Sequence, residues 1–278
     1  MARRREGLWR VVALCAAAVA CAPVTVQLPP PSPVVSGVAA RASDNAERQP
    51  PRDLAPPRPC WTLTGTPRVV AIGSSTMGSA IGPMLRRLLS GEGVEVVVKA
   101  KSSSSLARPD FFDWPTTLES LMRREAPDLV VVALGVNDAQ TIVVPRRKGV
   151  KTDDPRWDAA FAERVDELLA IAAGPEGRPV VWIGPYSFRG RTSREMGRRI
   201  HRILVERLAA RPTPAFYIDA YTTTQDAEGR PIETWRLPGA RQPVTARGRD
   251  GIHLKQYVVR PVMVDPTIAR VTQCLHPG

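Results

Sequence analysis

Residues 69–75 read VVAIGSS, a short apolar run that ends in one glycine and two serines. Two later runs repeat this plan: VEVVV at 94–98 is followed by SSSS at 102–105, and LVVVAL at 129–134 is followed by GVND at 135–138. β-branched runs bounded by small and polar residues predict strands. Ligands of an open α/β sheet bind beyond the carboxyl ends of its strands. We therefore expect these three polar runs to meet at one rim of a sheet.

The rest of the chain from residue 60 onward alternates such runs with longer amphipathic stretches, which predicts an α/β domain with a mostly parallel sheet. The predicted strands are Arg68–Ile72, Val94–Lys99, Leu129–Leu134, Pro179–Ile183 and Ala215–Ile218. Helical spacing groups Met84, Leu85, Leu88 and Leu89, then Phe161, Val165, Leu168, Leu169 and Ala172, then Ile200, Ile203, Leu204 and Leu208. Residues 60–278 suit a single three-layer domain without internal repeats.

A fourth polar run, DGIH at 250–253, lies near the C-terminus. Together the four runs supply a serine, small-residue backbone donors, an asparagine amide and an Asp/His pair, which is the inventory of an acyl-transfer site. A loop histidine that only hydrogen-bonds the backbone is the structural alternative for His253. The Asn-Asp pair at 137–138 is also common turn chemistry.

These motifs resemble the SGNH (GDSL-type) hydrolase superfamily in their order: GSST at 73–76, SSSSLARPDFFDW at 102–114, GVNDAQ at 135–140 and RDGIHL at 249–254. The second motif is similar to an STGLxRPDFFDW-like block of a bacterial secreted SGNH group. The similarity runs over residues 69–271. It implies a flavodoxin-like three-layer sandwich with a mostly parallel sheet (the SGNH hydrolase fold), serine esterase chemistry and no cofactor.

The resemblance also assigns roles to residues. Ser75 matches the nucleophile, His253 the base and Asp250 its acidic partner. The oxyanion hole would take the backbone N–H of Ser75, the amide of Asn137 and the backbone N–H of Ser105. No metal ligand is implied.

Two positions depart from the family pattern. Ser74 replaces an aspartate that braces the nucleophile loop, and Ser105 replaces a glycine. A serine keeps the N–H but lacks the freedom of glycine at positive φ, so we expect the hole to survive if Ser105 is extended. Asp138 is expected to hold the Asn137 turn rather than to titrate. Residues 108–114 either border the substrate cleft or form a structural loop whose aromatic rings pack on the sheet.

The N-terminal residues carry the marks of export. Residues 1–20 combine a basic start, a ten-residue apolar run and small residues before Cys21, which predicts a cleaved signal peptide, with an uncleaved anchor as the alternative. Ala18-Val19-Ala20-Cys21 resembles a lipobox, so Cys21 is the expected lipidation site, with ordinary cleavage after Ala20 as the alternative. Residues 21–59 form a proline-rich segment without aromatic residues, either an extended tether or a disordered leader.

Of the four cysteines, Cys15 lies in the signal and Cys21 is the lipid candidate, which leaves Cys60 and Cys274 at the two ends of the domain. Domain termini often lie close together and an oxidising compartment permits a disulfide, so we expect these two to be joined. Two free cysteines are the alternative.

The formal net charge is +12, and removal of residues 1–20, which hold four arginines and one glutamate, leaves +9. The remaining basic residues are dispersed, with no aromatic platform or nucleic-acid motif, which argues against nucleic-acid binding. A solvated basic surface with affinity for acidic glycans or anionic lipids fits better. The residues in question are Arg146, Arg147, Lys148, Arg189, Arg191, Arg198, Arg199 and Arg207.

The sequence therefore predicts an exported serine esterase of SGNH type. It is expected to be periplasmic or anchored in the outer membrane by lipid, or alternatively secreted. Its expected substrates are O-acyl groups on envelope or extracellular glycans, or a small ester. A glycan O-acetyltransferase that uses the same acyl-enzyme is one alternative. A non-catalytic glycan-binding or scaffold domain is another.

Overall fold

The computed structural model describes residues 61, 65–143 and 149–275. Its centre is a five-stranded sheet with the order β2-β1-β3-β4-β5 in which all neighbouring strands are parallel. This is the flavodoxin-like order. The strands are β1 Arg68–Gly73, β2 Glu95–Ala100, β3 Leu129–Ala133, β4 Val180–Ile183 and β5 Ala215–Ile218. The predicted α/β fold class and all five predicted strands are confirmed, with bounds that differ by a residue or so.

The helices, in chain order, are α1 Gly82–Gly91, α2 Trp114–Glu125, α3 Trp157–Ala173, α4 Arg191–Ala209, α5 Ala220–Thr223, α6 Gln256–Val259 and α7 Asp265–Leu275. Single π-helical turns precede α1 and α7, at Met77–Ile81 and Arg260–Val264. A short antiparallel pair, β6 Thr234–Trp235 and β7 Val244–Thr245, lies between α5 and α6. The three predicted apolar stripes fall in α1, α3 and α4.

Alternate residues of the strands lie on opposite faces of the sheet and pack into two separate hydrophobic cores. Val69 and Ala71 of β1 enter the core formed with α1 and α7, whereas Val70 and Ile72 enter the core formed with α2, α3 and α4. β1 is buried on both faces, as expected of a central parallel strand. This three-layer arrangement fixes the carboxyl ends of β1, β2 and β3 beside one another, since β1 pairs with both neighbours up to Gly73.

Several sequence-based expectations concern residues outside those that the structure describes. They are the signal peptide at 1–20, the lipidation site Cys21, the proline-rich segment at 21–59, Cys60 and the basic cluster at 146–148. Cys274 is fully buried near the end of α7 and is one half of a disulfide. The pairing with Cys60 stays a prediction.

Many of the arginines belong to ion pairs, so the basic surface is less free than expected. Arg199 and Arg207 of α4 bind Asp158 and Asp166 of α3 at 2.6 Å, and Arg189 binds Glu233.

Within the described ranges, no helix combines the length and the apolar character that a membrane span needs.

Candidate active site

Ser75 lies in the turn that connects β1 to the helical run leading into α1. The Ser74 N–H donates to the Ala133 carbonyl at 3.3 Å, so this turn is tied to the end of β3. A Cβ atom on Gly73 would lie 2.7 Å from the Ala133 oxygen. It would lie equally close to the Cβ of Met77. Glycine at position 73 is therefore what allows the Ser75 turn to pack this closely against β3.

Ser75, His253 and Asp250 form a continuous hydrogen-bonded chain. Ser75 Oγ lies 3.0 Å from His253 Nε2, and His253 Nδ1 lies 2.7 Å from Asp250 Oδ2. The two ends of this chain are 178 residues apart in sequence and meet only through the fold. Both the His253 and Asp250 side chains are roughly half exposed, at 43% and 47%, so the site is open to solvent.

The charge state of Asp250 determines the tautomer of His253. The hydrogen bond from the imidazole, followed by that from the Ile252 N–H, lowers the pKa of Asp250 to about 2. An ionised carboxylate only accepts hydrogen bonds, so His253 Nδ1 must be the donor in that pair. In neutral His253 this leaves Nε2 as an acceptor directed at the Ser75 hydroxyl.

Asn137 and Ser105 lie on two loops that a direct hydrogen bond joins. The Asn137 Nδ2 donates one N–H to the Ser104 carbonyl at 3.0 Å, which fixes the amide and leaves its second N–H available. Within the described part of the chain, the backbone N–H groups of Ser75 and Ser105 have no protein acceptor. All three predicted oxyanion donors are thus uncommitted.

The replacement of glycine by Ser105 introduces no backbone strain. The residue with a left-handed backbone in this loop is Ser103, at φ +61°, and Ser105 has no positive φ. Ser105 therefore does not need the freedom that glycine has at positive φ. Ser74 is buried and its Oγ has no partner within the described residues, so the turn is braced by backbone bonds in place of the family aspartate.

Residues 108–114 divide between the two interpretations offered for them. Trp114 is fully buried and donates its indole N–H to Ser104 Oγ at 3.0 Å, while Phe112 packs edge-on against it at 4.8 Å. Asp113 caps α2 by accepting from the Thr116 N–H. Phe111, in contrast, is 50% exposed. The aromatic residues of this motif thus mainly hold the loop that carries Ser105, and only Phe111 faces solvent.

Asp138 holds the Asn137 turn, as predicted, but it is also placed to titrate, contrary to the expectation from the sequence. Gly135 turns the chain at φ +122°, and the buried Asp138 accepts the Ala107 N–H on Oδ1 at 3.0 Å. Its Oδ2 has no partner within the described residues. Burial raises the pKa of Asp138 to about 6. Its charge therefore changes just below neutral pH.

Sequence reasoning missed several residues that support the site. Gln140 donates to Ser105 Oγ at 3.1 Å and to the Asn137 carbonyl at 2.5 Å, so it joins the second and third motifs. Its position within GVNDAQ is the only signal the sequence offered. Arg247, which is buried below the loop that carries Asp250 and His253, and Tyr186 were not singled out at all.

A small cavity of about 10 Å³ lies next to residues that adjoin the site in sequence, Thr76 and Val136. It has room for about one water molecule. The hydroxyls of Thr76 and Tyr186 line it and interact with each other, and neither has another partner within the described residues. Burial raises the pKa of Tyr186 to about 12, so that its hydroxyl stays protonated. In the described part of the chain, no group of three or more His, Cys, Asp or Glu side chains is arranged to hold a metal ion.

The model of a family described as "Protein of unknown function (DUF459)" matches residues 68–260, more than half of the chain, and the chain belongs to this family. No curated protein sequence matches it.

Solved structures that resemble this one include a candidate SGNH hydrolase from Slackia heliotrinireducens, with 19% identity, 73% of this chain and 100% of that chain covered, and a TM-score of 0.48. The lipase Lip_vut3 from a goat rumen metagenome has 15% identity, 77% and 100% coverage, and a TM-score of 0.48. Phospholipase A1 from Streptomyces albidoflavus has 12% identity, 74% and 99% coverage, and a TM-score of 0.43. At these identities and scores, the likenesses say nothing about the reaction or substrate of this chain.

Proposed function

We propose that this protein is a serine esterase in which Ser75 is the nucleophile, His253 the general base and Asp250 the group that orients the base. The observation that carries the proposal is the hydrogen-bonded chain from Ser75 Oγ through His253 to Asp250, at 3.0 and 2.7 Å. A serine hydroxyl is a weak nucleophile until a base removes its proton, and this arrangement supplies that base at hydrogen-bonding distance.

In the proposed reaction, Ser75 Oγ attacks the ester carbonyl carbon while its proton passes to His253 Nε2. Ionised Asp250 stabilises the resulting imidazolium through the Nδ1–H bond. When the tetrahedral intermediate collapses, His253 returns the proton to the departing alcohol and an acyl-Ser75 ester remains. Water then attacks this ester in the same manner, again with His253 as the base, and releases the carboxylic acid.

The negative charge that develops on the carbonyl oxygen needs donors that are already in place. We assign these donors to the backbone N–H groups of Ser75 and Ser105 and to the second N–H of Asn137. Their support is that each is uncommitted, and that Asn137 and Ser105 belong to loops joined through Ser104 and Gln140. Donors fixed in advance stabilise the transition state without reorganisation at the moment of reaction.

We propose O-acyl groups of an envelope or extracellular glycan as the substrate. Half-exposed His253 and Asp250 suit a group presented on a polymer surface better than a small molecule enclosed in a cavity. Phe111 is half exposed, and the Lys101 ammonium lies 5.3 Å from its ring centre, which offers a flat apolar surface next to a positive charge. Phe111 belongs to the same loop as Ser105, and we propose that this surface borders the site.

A sugar hydroxyl could replace water as the acceptor of the acyl group, because the site is open on the side of His253. The proposed acyl-enzyme is therefore also compatible with a glycan O-acetyltransferase. The two are separated by product: hydrolysis releases free acid whatever sugars are present, whereas transfer makes acid release fall as an acceptor oligosaccharide is added.

For the location of the enzyme, we propose export with removal of residues 1–20 and lipidation of Cys21, with the segment 21–59 as a tether between the membrane and the domain. The support is the pattern of the sequence itself. Intact-mass analysis of protein extracted from membranes tests this. A mature chain that starts at Cys21 without acyl mass would remove the anchor and retain only the signal.

Turnover of p-nitrophenyl acetate by the purified domain tests the enzymatic proposal. We expect measurable turnover by the wild type and loss of nearly all of it in Ser75→Ala and in His253→Ala, since each residue depends on the other. Thr76→Ser, which keeps a hydroxyl beside Ser75, serves as the matched control and should retain activity. A folded wild-type protein with no turnover would overturn the esterase assignment and favour a non-catalytic domain.

A further inference from the structure

Arg247 is the only basic residue that is buried in the described part of the chain, with 2% of its surface exposed. Within that part, no carboxylate forms a direct ion pair with its guanidinium, and Glu233, whose charge acts on Arg247 from a distance, is bound by Arg189. Removal of a charge from water without a partner charge is costly. The acceptors that its five N–H donors bind must therefore explain how this buried arginine is stabilised.

The guanidinium binds three backbone carbonyls from three separate segments. Nη2 donates to Ser187 beyond the end of β4 at 2.7 Å, Nη1 to Ile252 at 3.1 Å and Nε to Ile232 at 3.2 Å. The planar fork of arginine can serve several acceptors in fixed directions at once. Arg247 thereby joins the loop that carries Asp250 and His253 to the segments that follow β4 and α5.

The contact with Ile252 acts on the peptide unit that leads directly into His253. The oxygen of this unit, Ile252 O, accepts from Arg247, and its N–H, on His253, donates to Asp250 Oδ1 at 3.0 Å. Hydrogen bonds therefore fix both the oxygen and the N–H of this peptide unit. Its orientation determines the direction in which the His253 side chain leaves the backbone. Apolar packing does little here, since Ile252 is 50% exposed.

We propose that Arg247 is a positioning residue: it holds the peptide unit between Ile252 and His253, and so aims the imidazole at Ser75. The inference rests on the proposed esterase function of that site. In the wider turn, Gly248 N–H donates to His253 O at 2.8 Å and Lys255 N–H to Ala246 O at 2.9 Å. These bonds close the turn, while Arg247 alone among the described side chains ties the Ile252 carbonyl to the body of the domain.

The kinetic test compares Arg247→Lys with wild type in p-nitrophenyl acetate turnover, with the exposed Arg123→Lys as the matched control. Lysine keeps the charge but cannot reproduce the three-way fork. We expect kcat to fall about 10- to 100-fold, as for a small misplacement of a reacting group, with KM changed by less than about twofold. The Arg123 variant should match wild type. A kcat for folded Arg247→Lys within about twofold of wild type would overturn the proposal.

Double variants separate positioning from general support of the fold. Arg247 and Asp250 grip the same peptide unit, so the loss in Arg247→Lys/Asp250→Asn should be at least about fivefold smaller than the product of the single losses. Arg247→Lys combined with Asn137→Ala, on a different loop, should multiply within about twofold. A purely structural arginine would multiply in both pairs, and that result would refute the positioning role.

Amide hydrogen exchange tests whether Arg247 holds this loop, and it does not depend on ester turnover. In Arg247→Lys, exchange of the segment 248–254 should rise at least about tenfold, while exchange of α2 stays unchanged. Equal exchange of 248–254 in both proteins would overturn the proposal. If the wild type turned over no ester, the proposed function would fall, and the exchange result would still decide whether Arg247 holds the loop.

Discussion

Asp138 gives the protein a pH dependence of stability whose sign and size follow from its burial. The pKa of its carboxyl is raised from 3.8 to about 6 by desolvation. A raised pKa means that the folded state binds the proton more tightly than the unfolded state. The stabilisation is therefore fully present below about pH 4 and is lost as the pH rises through about 6. At about 1.4 kcal/mol per pKa unit, the loss is about 3 kcal/mol.

The variant Asp138→Asn removes this titration and keeps an oxygen that can accept the Ala107 N–H. Urea unfolding of both proteins between about pH 4 and pH 8 measures the effect. We expect the free energy of unfolding of the variant, minus that of the wild type, to increase by about 3 kcal/mol between pH 4 and pH 7 and then to level off. A constant offset between the proteins does not matter, because only the change with pH carries the prediction.

An exposed acid supplies the control for this experiment. Asp110 is bound by Arg108, which lowers its pKa, so the folded state releases its proton more readily. Its titration lies below about pH 4 in the folded state, so the same difference for Asp110→Asn should change little between about pH 4 and pH 7. A difference for Asp138→Asn that is flat from about pH 4 to pH 7 would refute the reasoning, since it would mean that Asp138 has an ordinary pKa.

Three further predictions concern the backbone, the oxyanion donors and the disulfide. Gly73→Ala should lower the free energy of unfolding by about 1–3 kcal/mol, because the added Cβ would clash with Ala133 and Met77. Gly91→Ala is the control, since a Cβ there meets nothing within 4 Å, and it should leave the free energy unchanged. Equal urea midpoints for the two variants would contradict this prediction. Asn137→Ala should slow ester turnover by about two to three orders of magnitude with unchanged circular dichroism, and a loss under about tenfold would remove Asn137 from the oxyanion hole. Thiol titration of the denatured, unreduced exported protein should find no free thiol at Cys60 and Cys274, because the two are joined. Chain-entropy models predict that such a disulfide stabilises the folded protein by roughly 5 kcal/mol. Two free thiols would contradict the pairing.

The central strands β1, β3 and β4 could be predicted because each is a short apolar run that is buried on both faces, as in Val69–Ile72. The edge strands β2 and β5 are less buried but keep β-branched or aromatic residues. α2 was not predicted, although its buried positions Trp114, Leu118 and Leu121 have helical spacing. Its first residue lies inside the second motif, where the aromatic residues were interpreted as part of a loop. The π-helical turns at Met77–Ile81 and Arg260–Val264 leave no periodic signal of their own.

For the site, motif resemblance identified the residues that the fold then brought together, Ser75, Asp250 and His253. It could not identify the residues that hold them, because those act through contacts that are distant in sequence. Arg247 reaches a carbonyl 60 residues away at Ser187, and Asn137 is fixed by Ser104, 33 residues away. Such contacts leave no local pattern, and arginine and serine are too common on surfaces for burial to be inferred from identity alone.

The central claim is that Ser75 is an activated nucleophile, and covalent labelling by a fluorophosphonate tests it most directly. Peptide mass spectrometry should locate the adduct on Ser75 in the wild type, with the same adduct in Ser74→Ala and Thr76→Ala and none in Ser75→Ala. Labelling of folded Ser75→Ala at another serine, or no labelling of the folded wild type, would contradict the claim.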